Sequence, residues 1–298
     1  MRILFYLLIT LSLSLSVFAD PFNAARVPSK AKWYMHFDMD NFKNTSIGKD
    51  LIAKALEDPN VNSGNEFLKL IGVDPVKNLK NITIYGMEFN KSNWLLAYEG
   101  SVYVVKLLDL IKTNGTYEVD NNNGIDVYSA VFNGNKFYFF LQENVLYISK
   151  SSALINGHIQ MIVGKEKSIK EAGTAVSLSI NNLMVFGSAD RLPDDGKDAM
   201  MNEIIKVVTK FRGGVKEESG IVKLEAVLET SSAESAETLN QFLQGIIGMG
   251  KLKLANHQAL LDALKSVVVT KDGTKIIVKG SIPSDVLVNL IKEKGRVK

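Results

Sequence analysis

The sequence contains no cysteine. A disulfide framework and a zinc site built on thiolates are therefore excluded. A lipid anchor attached to a cysteine, as in bacterial lipoproteins, is excluded for the same reason. A chain of 298 residues can bury a sizeable core without cross-links. We therefore expect one large domain or two domains of ordinary size.

The chain also lacks a large surplus of either charge. Its 35 basic and 32 acidic residues give a formal net charge of +3, and the two kinds of charge are interspersed along the sequence. Nucleic-acid binding needs a concentrated basic face. We therefore expect no nucleic-acid partner.

The common catalytic signatures are missing as well. The sequence has no Gly-x-Ser-x-Gly, no His-Glu-x-x-His and no phosphate-binding Walker loop. It has no cysteine nucleophile. These absences favour a binding or scaffold protein over an enzyme, and they predict no resident cofactor.

The one long apolar segment lies at the amino terminus. Arg2 precedes an apolar and small-residue run from Ile3 to Phe18, and small residues occupy positions 17 and 19. This arrangement is typical of a secretory signal peptide. We predict a signal peptide over residues 1–19 and export to the periplasm or the extracellular space. The alternative is an uncleaved amino-terminal anchor; after cleavage, no transmembrane anchor is expected.

Alternation of apolar and polar residues predicts strands over Ile125–Phe132, Lys136–Gln142 and Val145–Ser149. Asp272-Gly273 predicts a tight hairpin turn farther along the chain. Segments of helical spacing separate the strands, among them Met201, Ile204, Ile205 and Val208, whose pattern fades through Gly213-Gly214. The pattern predicts an α+β fold of antiparallel sheets with helices packed on one face.

A polar, charged stretch from Lys165 to Gly173 predicts a boundary between two parts of the chain. We place an amino-terminal α+β half at residues 20–168 and a carboxy-terminal α+β half at residues 169–298. Both halves have a strand, a helix, a hairpin and a helix in the same order. Duplication of one ancestral half is therefore a hypothesis, although no residue-level repeat accompanies it.

The best candidate site in the sequence is His36, Asp38 and Asp40, in a predicted strand from Trp33 to Asp40. Side chains two residues apart on a strand point to the same side. An imidazole and two carboxylates could hold a divalent metal ion or act in acid–base chemistry. The alternative interpretation is a solvated strand face. His158 and His257, the other two histidines, lie in predicted helices with the pattern of an ordinary helix surface.

Short motifs resemble those of a group of exported bacterial proteins. Trp33-Tyr34-Met35-His36-Phe37-Asp38 resembles a Trp-x-x-His-x-Asp opening strand, and Gly72-Val73-Asp74-Pro75 and Ile282-Pro283 resemble later segments of the same group. The group consists of uncharacterised exported proteins from planctomycete- and verrucomicrobia-type bacteria. The resemblance implies export and a duplicated α+β architecture, and it implies no known activity.

Three functional hypotheses follow. The first is an exported, non-enzymatic binding or scaffold protein whose partner is a protein or an apolar ligand. The second is a metal-dependent hydrolase that uses His36, Asp38 and Asp40. The third is a carrier of lipid or another apolar ligand, because the apolar faces of sheet and helices could enclose a cavity.

Overall fold

The structure is a computed structural model that describes residues 22–57, 78–89, 93–100, 117–132, 134–173, 178, 183–191 and 206–294. The predicted signal peptide and most of the predicted helix before Val208 lie outside these residues. The chain divides into two compact units. Unit 1 comprises Met1–Asn44 and Gly48–Ala175, and unit 2 comprises Thr45–Ile47 and Val176–Lys298.

The described part of the chain contains twelve strands and six α-helices. The strands are β1 (Trp33–Asp38), β2 (Leu79–Gly86), β3 (Leu95–Gly100), β4 (Tyr117–Asn122), β5 (Ile125–Phe132), β6 (Asn135–Gln142), β7 (Val145–Ser149), β8 (Val185–Ala189), β9 (Val208–Glu218), β10 (Ile221–Thr230), β11 (Val268–Asp272) and β12 (Lys275–Pro283). The helices are α1 (Met39–Asn44), α2 (Ser46–Glu57), α3 (Ser152–Ile162), α4 (Ala233–Lys253), α5 (Gln258–Lys265) and α6 (Ser284–Lys294). No described helix is long and apolar enough to cross a bilayer.

Unit 1 contains an antiparallel sheet in the order β1-β2-β3-β7-β6-β5-β4. A cluster of apolar side chains covers one face of this sheet, and α1 contributes Met39 and Phe42 to it. Helix α3 packs on the opposite face, where the His158 ring lies 4.3 Å from that of Tyr147 on β7. The prediction of helices on one face is therefore wrong for unit 1, because its strands bury large side chains on both faces.

Unit 2 contains an antiparallel sheet in the order β11-β12-β10-β9-β8. The predicted Asp272-Gly273 hairpin is confirmed: β11 pairs with β12, and Gly273 has a φ of +58°. The first half of α4 packs on this sheet through Ala236 and Leu239, which join Leu228 and Ile276 in the core of the unit. Both units thus combine antiparallel sheet with helices, and the α+β class is confirmed.

Strand β9 corrects the prediction that regular structure fades at Gly213-Gly214. The strand runs through both glycines for 11 residues, pairing with β10 on one side and β8 on the other. A Cβ atom added to Gly214 would lie 2.7 Å from Leu183 and 2.8 Å from Leu178. Glycine occurs here because neighbouring side chains approach the backbone closely, a situation in which a strand glycine is favourable.

Substitution Gly214→Ala tests this explanation. The new methyl group would collide with both leucines, so we expect unit 2 to lose about 1–3 kcal/mol of stability, measured as a lower midpoint of urea unfolding. Gly245→Ala is the matched control, because an added Cβ there meets nothing within 4 Å and the position lies inside α4. The control should stabilise the helix by about 0.5–1 kcal/mol. Equal effects of the two substitutions would contradict the explanation.

Candidate functional site

Polar side chains form rows across one face of the unit 1 sheet. In the strand register, Asp38 of β1 lies opposite Asn81 of β2, and Asn81 lies opposite Glu99 of β3. One row farther along, His36 lies opposite Thr83. Residues paired across antiparallel strands share a face, so these five side chains project to the same side of the sheet.

His36 lies buried in this face, with 3 % of its surface exposed. Its Nδ1 atom is 2.9 Å from the Thr83 hydroxyl oxygen, with which it shares a hydrogen bond. The ring of Phe22 lies 5.2 Å from the imidazole. Burial and, to a smaller extent, the nearby positive charge of Arg26 together lower the pKa of His36 to about 3. The imidazole is therefore neutral at physiological pH.

Asp38 is the last residue of β1 and caps the following helix. One carboxylate oxygen accepts a hydrogen bond from the Asn41 backbone N–H at 2.8 Å, and the other accepts from the Asn41 side-chain amide at 2.7 Å. An aspartate that bonds a backbone N–H in the first turn is a common helix amino-terminal cap. Burial raises the pKa of Asp38 to about 6, although both hydrogen bonds from Asn41 act in the opposite direction.

Asp40 belongs to helix α1, because the strand ends two residues earlier than we predicted. The buried Lys43 ammonium lies 3.2 Å from its carboxylate and donates a second hydrogen bond, of 3.0 Å, to the Leu79 carbonyl. The prediction that His36, Asp38 and Asp40 project from one strand is therefore wrong for Asp40. The solvated-face interpretation is also wrong, since all three residues are less than 8 % exposed.

The three predicted ligands bond to different neighbours: His36 to Thr83, Asp38 to Asn41 and Asp40 to Lys43. In the parts of the chain that the structure describes, no group of three or more His, Asp or Glu side chains is arranged to hold a metal ion.

His158 is the residue of this cluster that sequence reasoning missed. It is fully buried on α3, and its Nδ1 atom lies 2.8 Å from the Tyr85 hydroxyl. Burial lowers its pKa to about 3, with a further contribution from Arg26. Its Nε2 atom has no hydrogen-bond partner among the described residues. The sequence feature that could have identified His158 as buried is its position beside Ile155 and Ile159, which form the buried stripe of the helix.

An amino-terminal strap, residues 22–29, covers part of the same face. Within it, the Arg26 guanidinium forms an ion pair of 2.6 Å with Glu99. The backbone of Val27 accepts a hydrogen bond of 2.8 Å from the Ile169 N–H. The phenyl ring of Phe22 stacks on Tyr34 with 5.4 Å between ring centroids. The strap therefore closes the face with charged, backbone and aromatic contacts.

Burial is the main influence on the pKa values in this cluster of polar side chains. General acid–base catalysis at neutral pH needs a group that titrates near the working pH and reaches a substrate. His36 and His158 have pKa values of about 3 and are less than 4 % exposed. Asp38 has a raised pKa of about 6, but it is only 7 % exposed and both of its carboxylate oxygens accept hydrogen bonds from Asn41. Buried polar networks of this kind give a unique packing arrangement when their members bond one another. We assign the cluster to the stability of unit 1.

A second candidate site lies on the helices of unit 2. The buried residues of α4 are Ala236 and Leu239, both near its amino terminus. Farther along the helix, Met249 is 50 % exposed and Leu252 is 80 % exposed. We call this pair of side chains the α4 patch. Leu252 has the largest exposed fraction of the large apolar side chains in the described residues.

A cleft lies between α5 and α6, with a volume of about 270 Å³. Its lining consists of His257, Gln258, Ala259, Leu260, Val286, Asn289 and Leu290. Helices α4 and α5 approach each other at Gly250, where an added Cβ would lie 2.8 Å from Leu264. The α4 patch and the α5–α6 cleft are therefore two features of the helices of unit 2.

Comparison with known proteins identifies a shared fold. No protein-family model and no curated protein matches the chain. The chain is similar to the structure of crystal form III of TP0453, with a TM-score of 0.53 and 11 % identity over 93 % of this chain and 100 % of that chain. Crystal forms I and IV of TP0453 give TM-scores of 0.49 and 0.48, at 12 % and 11 % identity. At this level of identity, the first comparison shows likeness of fold alone.

Divalent metal should leave the thermal unfolding midpoint of the chain unchanged, because His36, Asp38 and Asp40 bond to other groups. The measurement compares unfolding in chelator with unfolding in Zn²⁺, Mn²⁺ or Ca²⁺. A metal that binds the folded state at a hundredfold excess over its dissociation constant adds about 2.7 kcal/mol of stability. A rise in the midpoint that His36→Asn abolishes would contradict our interpretation and support the metal-dependent hydrolase.

Acid should destabilise unit 1 through its two buried histidines. Unfolded histidine takes up a proton near pH 6.5, whereas His36 and His158 do so near pH 3 when folded. Each therefore contributes stability above pH 6.5 that is lost toward pH 3, at about 1.4 kcal/mol per pH unit. Asp38 acts in the opposite direction below pH 6 because its folded pKa is raised. Two histidines outweigh one aspartate, so the net effect is a loss.

His158→Asn removes one titrating group and keeps a polar atom near Tyr85. We expect the pH dependence of the free energy of unfolding, measured with urea between pH 6.5 and 4.5, to fall by up to about 1.4 kcal/mol per pH unit. His257→Asn is the matched control, because it removes an exposed histidine by the same substitution. An unaltered slope in His158→Asn would show that this histidine titrates normally in the folded state.

Proposed function

We propose that this chain is an exported, non-enzymatic binding or scaffold protein that acts through the apolar helical surface of unit 2. The observation that carries the proposal is the exposure of Leu252, at 80 %, one helical turn from Met249 at 50 %, in the unit that also holds the α5–α6 cleft. Contiguous exposed apolar side chains rimmed by polar residues mark interaction sites in soluble proteins.

The energetics support a binding role for this surface. Covering a leucine side chain contributes about 1.5–3 kcal/mol relative to leaving it in water. The described residues of unit 2 leave Leu252 80 % exposed. Exposed Lys251 and Lys253 flank it and keep the surface hydrated. A partner that covers Leu252 would therefore gain this free energy of burial.

The size of the cleft favours a partner's side chains over a wholly enclosed ligand. Pockets that enclose small ligands have volumes of about 300–1,000 Å³. The α5–α6 cleft, at about 270 Å³, lies just below that range. It could take one or two apolar side chains, or part of an acyl chain.

A carrier of lipid or another apolar ligand is the alternative that uses the same surface. The lining of the α5–α6 cleft includes the apolar residues Ala259, Leu260 and Val286. Organic extraction of the purified protein followed by mass spectrometry distinguishes the two. A stoichiometric lipid in the extract would favour the carrier, and its absence would favour the binding or scaffold protein.

Two parts of the proposal, export of the protein and duplication of an ancestral half, are supported by the amino-acid sequence alone. The arrangement of Arg2 and the apolar run to Phe18 supports cleavage before Asp20. Amino-terminal sequencing of the protein recovered from outside the cytoplasm tests the cleavage site. The similar order of elements in residues 20–168 and 169–298 supports duplication of an ancestral half.

Site-specific photocrosslinking tests the binding surface in the full chain. A benzophenone amino acid at position 252 should form adducts in the cells that export the protein, because the side chain there meets the partner. The matched control is position 131, where Val131 is 52 % exposed on unit 1. Adducts at both positions in equal amounts, or at neither, would contradict the proposal.

A further inference from the structure

The amino-terminal strap, residues 22–29, contacts unit 1 in the way that a bound peptide contacts a protein. Its second half is extended and forms an antiparallel bridge with the segment that follows α3. The Ser29 N–H donates to the Lys167 carbonyl at 2.8 Å, and the Ile169 N–H donates to the Val27 carbonyl at 2.8 Å. Peptides that dock as an added strand use main-chain hydrogen bonds of the same kind.

Two apolar side chains anchor the strap on either side of its short helical turn. Phe22 stacks on Tyr34, and its ring lies 5.2 Å from the His36 imidazole. Val27 is fully buried. Main-chain pairing combined with separate side-chain anchors is the usual basis of peptide recognition. The strap-binding site consists of Tyr34, His36, Glu99, Glu143 and the backbone of residues 167–169.

The charge of the strap-binding site is acidic. The Arg26 guanidinium lies 2.6 Å from Glu99 and 3.9 Å from Glu143. The Glu143 side chain remains 74 % exposed beside it. Two carboxylates therefore face one cation of the strap, so the site attracts a basic segment. A segment with a second basic residue pairs more closely with Glu143 than the strap does.

The segment that pairs with the strap is held in place by its own contacts. The Glu171 carboxylate accepts hydrogen bonds from the Ser168 N–H at 2.8 Å and from the Ser168 hydroxyl at 3.0 Å. The Ala172 N–H donates to the Ser168 carbonyl at 3.0 Å. None of these bonds involves the strap. The segment is therefore pre-formed, which lowers the entropy cost of binding a peptide there.

The two faces of the unit 1 sheet differ in a way that suits a removable cover. Beneath the strap lie polar groups, among them the hydrogen-bonded pair of His36 and Thr83 and the Glu99 carboxylate. The opposite face carries Ile82 and Ile84 in the apolar cluster. Water can replace the bonds of exposed polar groups, whereas exposed apolar groups lose the free energy of burial. The strap can therefore leave while the apolar cluster stays covered.

We propose that the strap is an exchangeable intramolecular ligand, and that the strap-binding site accepts an extended segment of a partner protein in its place. That segment carries an aromatic residue, an arginine four residues later and a β-branched residue directly after the arginine, as Phe22, Arg26 and Val27 do. The inference concerns unit 1 and is independent of the unit 2 surface, so the failure of one leaves the other intact.

A partner protein suits the site better than a second copy of this chain. The strap of a second copy offers only the contacts that the tethered strap already makes. A tethered segment has an effective concentration on the order of millimolar, so an identical free segment does not displace it at lower concentrations. A partner segment with a further basic residue gains closer contact with Glu143, and it therefore competes.

Hydrogen exchange in the wild-type mature chain, residues 20–298, tests whether the strap opens. The Ile169 N–H bonds to the strap, whereas β2 is paired on both sides within the sheet. We expect the Ile169 amide to exchange at least about tenfold faster than the amides of β2, because the strap opens without unfolding the sheet. Equal rates would overturn the proposal, since the strap would then open only together with the sheet.

A labelled peptide with the sequence of residues 20–31 tests binding by fluorescence anisotropy. The wild-type chain should bind it weakly, because its own strap occupies the site. The Arg26→Glu chain should bind the peptide at least about tenfold more tightly, because Glu99 and Glu143 repel the altered strap and the tethered competitor is removed.

Lys30→Glu is the matched control, because it makes the same change of charge directly after the strap. Lys30 is 70 % exposed in its ion pair with Glu166, and exposed ion pairs contribute little to stability. The Lys30→Glu chain should therefore bind the peptide as weakly as the wild-type chain does. A peptide that carries Arg26→Glu should bind none of the chains.

Two binding results would overturn the proposal. The first is an Arg26→Glu chain, folded by circular dichroism, that does not bind the wild-type peptide. The second is an Arg26→Glu peptide that binds this chain as tightly as the wild-type peptide does. Where the Arg26→Glu chain does not fold, Phe22→Ala replaces it, because this substitution loosens the strap through its aromatic contact alone, and the same two results apply.

Sedimentation velocity distinguishes a partner protein from a second copy. We expect the strap to leave the oligomeric state unchanged, so the wild-type and Phe22→Ala chains should sediment alike. A wild-type dimer that Phe22→Ala abolishes would assign the site to the strap of a second copy and overturn the partner segment.

Discussion

A polar group buried inside a protein must find its hydrogen bonds within the protein, because leaving it unpaired costs about 1–3 kcal/mol. This requirement organises unit 1. The β1 strand places His36 and Asp38 on a covered face, and each is matched by a neighbour: Thr83 for the imidazole and Asn41 for the carboxylate. His158 enters from α3 and meets the Tyr85 hydroxyl. The pairing of side chains thus constrains the strand register and the position of the helix together.

The same requirement explains why the amino-terminal strap contains a charged residue as well as an aromatic one. A purely apolar strap would leave the Glu99 carboxylate without a cation on the covered face. Arg26 supplies that cation at 2.6 Å, while Phe22 covers the rings of Tyr34 and His36. The positive charge of Arg26 also helps to keep both histidines neutral. Strap, sheet and helix therefore depend on one set of paired groups.

In unit 2, the buried contacts of helix α4 lie near its amino terminus. The core of the unit uses the first half of α4, and the missing side chain at Gly214 of β9 leaves room for Leu183. The second half of α4 makes few apolar contacts, so Met249 and Leu252 remain on the surface. A surface of this kind is stable in water because lysines alternate with the apolar residues.

Local patterns in the sequence were sufficient for the α+β class, for β5, β6 and β7, and for the hairpin at Asp272-Gly273, because alternation and turn chemistry act over a few residues. They failed at β9, where Gly213-Gly214 breaks the pattern that propensity recognises. They also misplaced Asp40, because a strand and a helix meet between Asp38 and Met39 with no proline or glycine to mark the change.

The residues that could pair, cap and turn can be recognised from the amino-acid sequence: the absence of cysteine, the alternation along the strands and the three histidines are all visible in it. Which of these groups are buried depends on the packing of distant segments. Tyr34, His36 and Asp38 alternate with apolar residues, as on a solvated face, yet all three are buried, and Phe22 of the strap packs on Tyr34 and His36. His158 occupies an ordinary helical position, yet it lies under Tyr85 and Tyr147. Burial depends on what packs against a face from distant parts of the chain, and no local pattern records that.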